Sequence, residues 1–278
     1  MKRILTLISF FLALQYSYAQ EVDSLHKKMI GTWELTNYLS TNNSTGNEGP
    51  DRIKRTRVIT DSHYTLTLYN PGTGQMIANV TGSYQVADSN YREAAISVTP
   101  GLDILLNKTI GRSASIDEGD RLIFRWTNKD VNYTEIWSRI VQKTAVKGQL
   151  DTALQRKIKG SWDLVKFNYG NPNATDPAKQ QFRRLKLYTE NNYTVTDIDA
   201  NTNITRTAFQ GNYFVGKDPA VKDNYQENKL PLSPSIPMGA ENKFVCKVFI
   251  DADDQLHFEW LSNGVKCSET WIRIKKPN

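Results

Sequence analysis

The chain has 278 residues, with 35 Lys and Arg against 29 Asp and Glu, two Cys and three His. A net charge of +6 is modest for this length and is spread along the chain, which excludes the dense basic face of a nucleic-acid binder. So few Cys and His, with no close ligand spacing, exclude a transition-metal site, and no cofactor is expected. Met1 to Ala19 opens on Lys2-Arg3, continues through an apolar run from Ile4 to Leu14, and ends on the small residues Ser17 and Ala19. Those are the three parts of a signal peptide cleaved before Gln20, so the protein is expected to be exported, periplasmic or secreted. No cysteine follows the cleavage point to take a lipid, and no later segment has the ~20 apolar residues of a transmembrane helix.

Beyond the leader, Asp23 to Met29 reads as a short helix with Ser24 as its cap. Short runs rich in Thr, Val, Ile and Tyr follow, broken by Gly, Asn, Asp and Pro, which is an antiparallel strand rhythm. Strands are predicted at Thr32 to Ser40, Lys54 to Thr60, Tyr64 to Tyr69, Met76 to Val86, Glu93 to Val98, Thr109 to Ile116, Leu122 to Thr127 and Asn132 to Ile140. Eight strands of this size can close into an up-and-down barrel, which removes every exposed edge. A linker spans 142–150. A second short helix, Asp151 to Lys159 with Thr152 as its cap, leads into a second strand-rich region from Trp162 to Ile274. Its Lys217 to Asn242 segment holds Pro219, Pro231, Pro234 and Pro237 and reads as an extended loop. Thr41 to Asp51 and Asn168 to Lys179 read as polar loops able to lie across a barrel mouth.

The two halves are copies. Gly31-Thr32-Trp33 returns 129 residues later as Gly160-Ser161-Trp162, and the same offset carries Arg55 to Arg184, Tyr64 to Tyr193 and Gly82 to Gly211. Further on the offset is 134, carrying Tyr91-Arg92-Glu93 to Tyr225-Gln226-Glu227, Trp126 to Trp260, and Glu135-Ile136-Trp137-Ser138-Arg139 to Glu269-Thr270-Trp271-Ile272-Arg273. A period this long suits a complete domain rather than a solenoid unit. The chain therefore divides into a signal peptide (1–19), a first barrel (20–141), the linker (142–150) and a second barrel (151–278).

A helical turn, Gly-x-Trp at the first strand and an Arg near the end of the last strand resemble the lipocalin, or calycin, pattern. Ile59-Thr60-Asp61-Ser62-His63-Tyr64, Tyr91-Arg92-Glu93 and Glu135 to Arg139 look like motifs of the lipocalin-like domains of unknown function in secreted Bacteroidetes proteins. The resemblance spans nearly the whole mature chain. It implies an all-β fold of two tandem antiparallel up-and-down barrels, each preceded by a short helix, in which Arg139 packs over Trp33 and Arg273 over Trp162 to close one end. It supplies no activity. Asp23-Ser24-Leu25 and Asp151-Thr152-Ala153 resemble the O-glycosylation signal of Bacteroidetes envelope proteins, although helix capping accounts for the same residues.

On the last strand a period of two puts Tyr133, Glu135, Trp137 and Arg139 on one face, and Cys267, Glu269, Trp271 and Arg273 on the equivalent face. If the arginines cap the barrel floors, those faces are the lumens, and both glutamates point inward. Two readings follow: the glutamates orient a ligand head, or they pair internally with Arg or Tyr and tie strands together, because a buried carboxylate needs a partner. The basic clusters Arg52 to Arg57 and Arg183 to Lys186 are equivalent, and read either as a solvated strand face or as luminal cations. His63, beside a turn and replaced by Asn192 in the second copy, reads as a surface residue. Export makes a Cys246–Cys267 disulfide the first thought. Register argues against it: the Asn263-Gly264 hairpin sets Cys267 against Trp260 and leaves Cys246 on the far side of that strand, ~10 Å away.

No nucleophile elbow, phosphate loop or dinucleotide fingerprint is present, so no enzyme activity is expected. The leading function is non-catalytic binding of a small, hydrophobic or amphipathic molecule in a lumen. Its polar contacts would be Arg55, Arg57, Tyr64, Glu93 and Glu135 in the first copy, and Arg184, Lys186, Tyr193, Glu227 and Glu269 in the second. The alternative is a structural or interaction module of the cell envelope, with filled barrels and loops that meet a protein or glycan.

Overall fold

A computed structural model describes residues 25–41, 53–71, 73, 75–141, 149–170, 181–217, 224–230 and 243–275. The leader, Ser24, the loop at 42–52, most of the linker and of the Asn168 to Lys179 loop, and the prolines of the 217–242 segment lie outside the described residues.

After a helical turn at 25–29, eight strands run in order: β1 Gly31–Ser40, β2 Lys54–Ile59, β3 His63–Tyr69, β4 Met76–Ala87, β5 Asn90–Val98, β6 Thr109–Ile116, β7 Arg121–Asn128 and β8 Val131–Arg139. Each pairs antiparallel with the next, and β8 pairs with β1, closing an up-and-down barrel. The second copy opens with the two-residue strand β9 Gln149–Leu150 and the helix Thr152–Ile158. Strands β10 Gly160–Tyr169, β11 Phe182–Tyr188, β12 Asn192–Asp199, β13 Thr205–Lys217, β14 Tyr225–Leu230, β15 Lys243–Ile250, β16 Leu256–Ser262 and β17 Val265–Arg273 follow. The β12–β13 and β10–β17 pairings close this barrel too. The chain is thus all-β, two closed eight-stranded barrels in tandem.

Strand parity explains the cores. In β3, Tyr64, Leu66 and Leu68 point into the barrel while Thr65 and Thr67 point out, and in β12 Tyr193 and Val195 point in while Thr194 and Thr196 point out. Both barrels close alike. The Trp33 indole donates to the Met29 carbonyl at 2.9 Å, and the Trp162 indole to the Ile158 carbonyl at 2.7 Å. The Arg139 guanidinium lies 4.0 Å above the Trp33 ring and Arg273 lies 4.1 Å above Trp162. Each arginine also donates to two carbonyls of the preceding helical turn and to an aspartate, Asp120 or Asp254. Gly31 and Gly160, both at positive φ, are glycine because any Cβ there would meet that guanidinium.

The structure corrects several expectations. Asp151, not Thr152, caps the second helix, its carboxylate accepting from the Leu154 amide at 3.1 Å. The Lys217 to Asn242 segment is not all loop, since Tyr225–Leu230 is strand β14, paired on both sides. That strand is the counterpart of β5, and Tyr225 and Glu227 hold it to the lumen; the prolines that suggested a loop lie outside it. His63 is buried, not exposed, with its Nδ1 2.8 Å from the Ser62 hydroxyl. Cys246 and Cys267 are both buried and form no disulfide; Trp260 faces Cys267 across one strand pair.

The barrels meet through the outer faces of β2–β4 and β11–β13. Thr32 bonds Thr189 at 2.9 Å, and its repeat-related equivalent joins Thr60 to Ser161 at 2.6 Å. Thr65 meets Thr194, the residue 129 positions on, at 3.3 Å, so a pseudo-twofold axis passes between them. Thr56 with Gln210, Thr81 with Thr196 and Ser97 with Thr205 extend this hydroxyl seam, and Val58, Leu185, Leu187 and Ile198 form the apolar cluster inside it.

Candidate functional site

Each lumen carries a buried ionic network on an aromatic frame. In barrel 1, Arg57 is fully buried, with its guanidinium 5.0 to 6.0 Å from the ring centres of Phe124, Tyr64, Trp137 and Tyr91. One amino group reaches Glu93 at 2.7 Å and the Tyr91 hydroxyl at 3.1 Å. Burial opposes its charge, but Glu93, Tyr91 and Glu135 overcome that and raise the Arg57 pKa. Burial likewise works against ionised Glu93, yet the Arg57 and Arg112 charges hold its pKa below the ordinary value. Arg112 is the link: one amino group lies 3.2 Å from Glu93 and the other 3.1 Å from Glu135, with its guanidinium 4.8 Å from the Trp126 ring centre. The Trp137 indole donates to Glu135 at 3.2 Å. Arg55 stacks 5.6 Å over Tyr38, nearer the mouth.

Barrel 2 keeps the frame but wires it differently. Lys186, in the place of Arg57, is buried against Glu227 and lies 4.5 Å from the Phe258 ring centre. Glu227 accepts from the Tyr225 hydroxyl at 2.6 Å and the Tyr188 hydroxyl at 3.3 Å. Next to it, the Tyr193 hydroxyl makes no hydrogen bond of normal geometry, and burial together with the Glu227 charge raises its pKa well above the ordinary value. Arg184 forms a two-pronged pair with Asp197 and reaches Glu269 at 3.3 Å; Glu269 also accepts from Tyr169 and from the Trp271 indole at 3.1 Å. Burial opposes the Arg184 charge, but the Asp197 bond and charge raise its pKa.

A cavity of about 190 Å³ opens at this level of barrel 2. Arg184, Lys186, Glu227 and Glu269 all line it, with Trp260, Trp271, Tyr169, Phe244 and Phe209 as aromatic walls. The structure thus gathers the four charged residues expected in the second lumen at one cavity, with Tyr193 6.1 Å from Tyr188 in the layer behind. In barrel 1, Arg57, Tyr64, Glu93 and Glu135 share one buried network, and Arg55 stacks on Tyr38. Both glutamates do pair internally, Glu135 with Arg112 and Glu269 with Arg184 and Tyr169. The basic clusters divide by strand parity: Arg57 and Lys186 fill the lumens, while Lys54 and Arg183 lie on the outer faces, paired with Glu34 and Asp163.

Sequence reasoning missed Arg112 and Asp197. The signal was present: the 134-residue offset sets Arg112 against Cys246, and the 129-residue offset sets Leu68 against Asp197. A larger surface cleft, about 460 Å³, lies at the junction of the barrels beside Asp61, Arg139, Lys159 and Glu190. Its Lys159 pairs with Glu190 at 2.6 Å and its Arg139 with Asp120 at 2.7 Å, so it reads as the seam of the two barrel floors. Among the described residues no His, Cys, Asp and Glu cluster could hold a metal, and no helix is long and apolar enough to cross a membrane.

No protein-family model matches the chain, and no curated protein matches it in sequence. Among solved structures it is similar to a protein of unknown function of the DUF3598 family from Nostoc punctiforme, at 11% identity over 89% of this chain and 97% of that one, with a TM-score of 0.24. A variant of the vaccine antigen transferrin-binding protein B from Haemophilus parasuis is similar at 9% identity over 85% of this chain and 63% of that one, with a TM-score of 0.19. Likeness this slight carries no argument about function. The class rests on topology: a tandem pair of closed up-and-down barrels, fit for binding or for structural work.

Proposed function

We propose that this chain is an exported, lipocalin-like binding protein whose second barrel holds a small, partly apolar molecule without catalysing its conversion. The observation that carries this reading is the cavity in barrel 2, where aromatic walls surround a few convergent charged groups, the usual make-up of a small-molecule site. At about 190 Å³ it is smaller than the ~300 Å³ at which sites for drug-sized ligands begin, so it suits a head group of a few heavy atoms. An apolar cavity of ~150 Å³ holds benzene, which sets the scale. The lipocalin likeness of the Gly-x-Trp and terminal Arg motifs, and the leader-like first 19 residues, support the family and the export.

The structural reading is favoured for barrel 1, where Arg112 bridges Glu93 and Glu135 and occupies the space between them. The two halves would then divide the labour, one binding and one bracing. Native mass spectrometry of protein purified from its own envelope, before and after denaturation and refolding, tests this. The expected result is an added mass that is lost on refolding, weakened by Glu269→Gln and unchanged by Glu135→Gln. Dependence on Glu135 alone would move the site to barrel 1. No added mass, with no thermal shift across a metabolite screen, would favour the interaction module.

A further inference from the structure

The repeat turns barrel 1 into an internal reference for what the barrel-2 cavity accepts. Arg112 faces Tyr91 across the β5–β6 pair, and Cys246 faces Tyr225 across the equivalent β14–β15 pair. Cys246 therefore stands where barrel 1 has Arg112. The surroundings of the Arg112 guanidinium are kept: Glu93 and Glu135 correspond to Glu227 and Glu269, Phe124 to Phe258, and Trp126 to Trp260. Three of those counterparts, Glu227, Glu269 and Trp260, line the barrel-2 cavity. A second change is compensated: Tyr133, stacked 5.2 Å from Trp126, becomes Cys267, but its strand partner Ser40 becomes Tyr169, whose ring lies 5.8 Å from Trp260, so the loss of Arg112 is what opens the site.

Charge points the same way. The barrel-1 network sets Arg57 and Arg112 against Glu93 and Glu135. Barrel 2 sets Arg184 and Lys186 against Asp197, Glu227 and Glu269. The first is balanced and the second has one carboxylate more than its cations, because Arg112 is lost and Asp197, which replaces Leu68, takes up Arg184. Arg184 reaches Glu269 at 3.3 Å, but Asp197 engages it from two sides, so its single charge is shared between two carboxylates. A buried excess carboxylate is costly until a cation joins it.

We propose that the barrel-2 cavity is a cation site, taking the guanidinium, amidinium or ammonium head of a small organic ligand between Glu227 and Glu269 against the Trp260 indole. The ligand head stands where Arg112 stands in barrel 1. Lys186 stays on Glu227, as Arg57 stays on Glu93 beside Arg112. The two carboxylates supply charge-assisted hydrogen bonds and Trp260 a cation–π face. This deepens the reading of barrel 2 as the binding barrel and rests on it.

Three probes of one shape and different charge test it on the full chain: benzamidine as its cation, benzamide and benzoate, titrated while the tryptophan indole resonances are followed by NMR. Benzylamine adds the ammonium head. The expected result is saturable shifts of the Trp260 and Trp271 signals, with benzamidine binding at least tenfold tighter than benzamide and benzoate weakest. Cys246→Arg, which restores the barrel-1 residue, should abolish benzamidine binding while the Trp33 and Trp162 signals stay in place. Glu269→Gln, which leaves the cavity open, should erase most of the cation preference, and it keeps the test intact should the arginine variant misfold. Equal binding of benzamide and benzamidine, both blocked by Cys246→Arg, would overturn the cation assignment while leaving a binding barrel. Binding of benzamidine undiminished by both variants would also overturn it, by putting the cation elsewhere. No Trp260 or Trp271 response to any probe would overturn the binding reading itself.

Discussion

The two barrels share a frame and differ in what fills it. Trp33 and Trp162, Arg139 and Arg273, Tyr64 and Tyr193, Glu93 and Glu227, and Trp137 and Trp271 occupy equivalent places, and the closure geometry repeats to within 0.1 Å in the arginine-to-indole distance. The lumens part at Arg112 and Cys246, Tyr133 and Cys267, and Leu68 and Asp197. Each copy has to close its own floor, so the closing residues were kept. A lumen, once closed, packs only on itself, and one barrel could lose its bridging cation without disturbing the seam that joins it to the other.

The sharpest way to break this contrast is to give barrel 1 the residue of barrel 2. Arg112→Cys leaves Glu93 and Glu135 buried with one cation too few, and removing one partner of a buried ion pair typically costs about 3–5 kcal/mol. Urea denaturation should show a loss of that size. A cost under ~1 kcal/mol would mean that Arg112 is incidental and that the lumens do not differ as described.

His63 and Asn192 offer the next contrast, one that shows in pH. Burial, and after it the charge of Arg183 across the seam, lower the His63 pKa from 6.5 to about 4, against the opposing pull of Asp61. A depressed folded pKa means that the unfolded chain takes up its proton first as pH falls. Stability from this residue is full above pH 6.5 and declines by up to ~1.4 kcal/mol per unit until about pH 4, roughly 3 kcal/mol in all. His63→Asn, which copies barrel 2, should flatten that part of the slope in denaturation midpoints taken at pH 7, 5.5 and 4. An unchanged slope would show that the folded and unfolded chains hold the His63 proton alike, and that burial does not depress its pKa.

Smaller effects are expected where the barrels agree. Arg139→Ala and Arg273→Ala each lose a cation–π contact and bonds to two carbonyls and an aspartate, together about 2–3 kcal/mol. The two losses should match within ~0.5 kcal/mol, and a difference above ~1 kcal/mol would show that the floors are not equivalent.

How far this was legible in the sequence depends on the range of the signal. Strand positions follow from period-two alternation, which is local, and both floors are what the lipocalin resemblance of the repeated Gly-x-Trp and terminal Arg implies. Strand β14 was obscured by flanking prolines, although the Tyr225-Gln226-Glu227 match already marked it as the counterpart of β5. Strand parity already places Cys267 on the luminal face, but only the 134-residue offset shows that Cys246 and Cys267 stand where the first copy has Arg112 and Tyr133. The seam was missed because outward threonines on a strand normally face water. Thr65, Thr67, Thr194 and Thr196 become buried only once two barrels meet, which no single strand pattern encodes.

That seam carries the last and smallest test. Thr32 with Thr189 and Thr60 with Ser161 are one hydrogen bond repeated by the pseudo-twofold axis. Thr189→Val leaves the buried Thr32 hydroxyl without its partner and should cost about 1–2 kcal/mol, whereas Thr32→Val with Thr189→Val removes both hydroxyls and should recover most of that. Thr60→Val, alone and with Ser161→Ala, should give the same pattern by denaturation. Coupling of about 1 kcal/mol in both cycles would show that the axis governs the energetics as well as the geometry. Coupling in one cycle only would mean that the duplicated interface, like the duplicated lumen, has already begun to diverge.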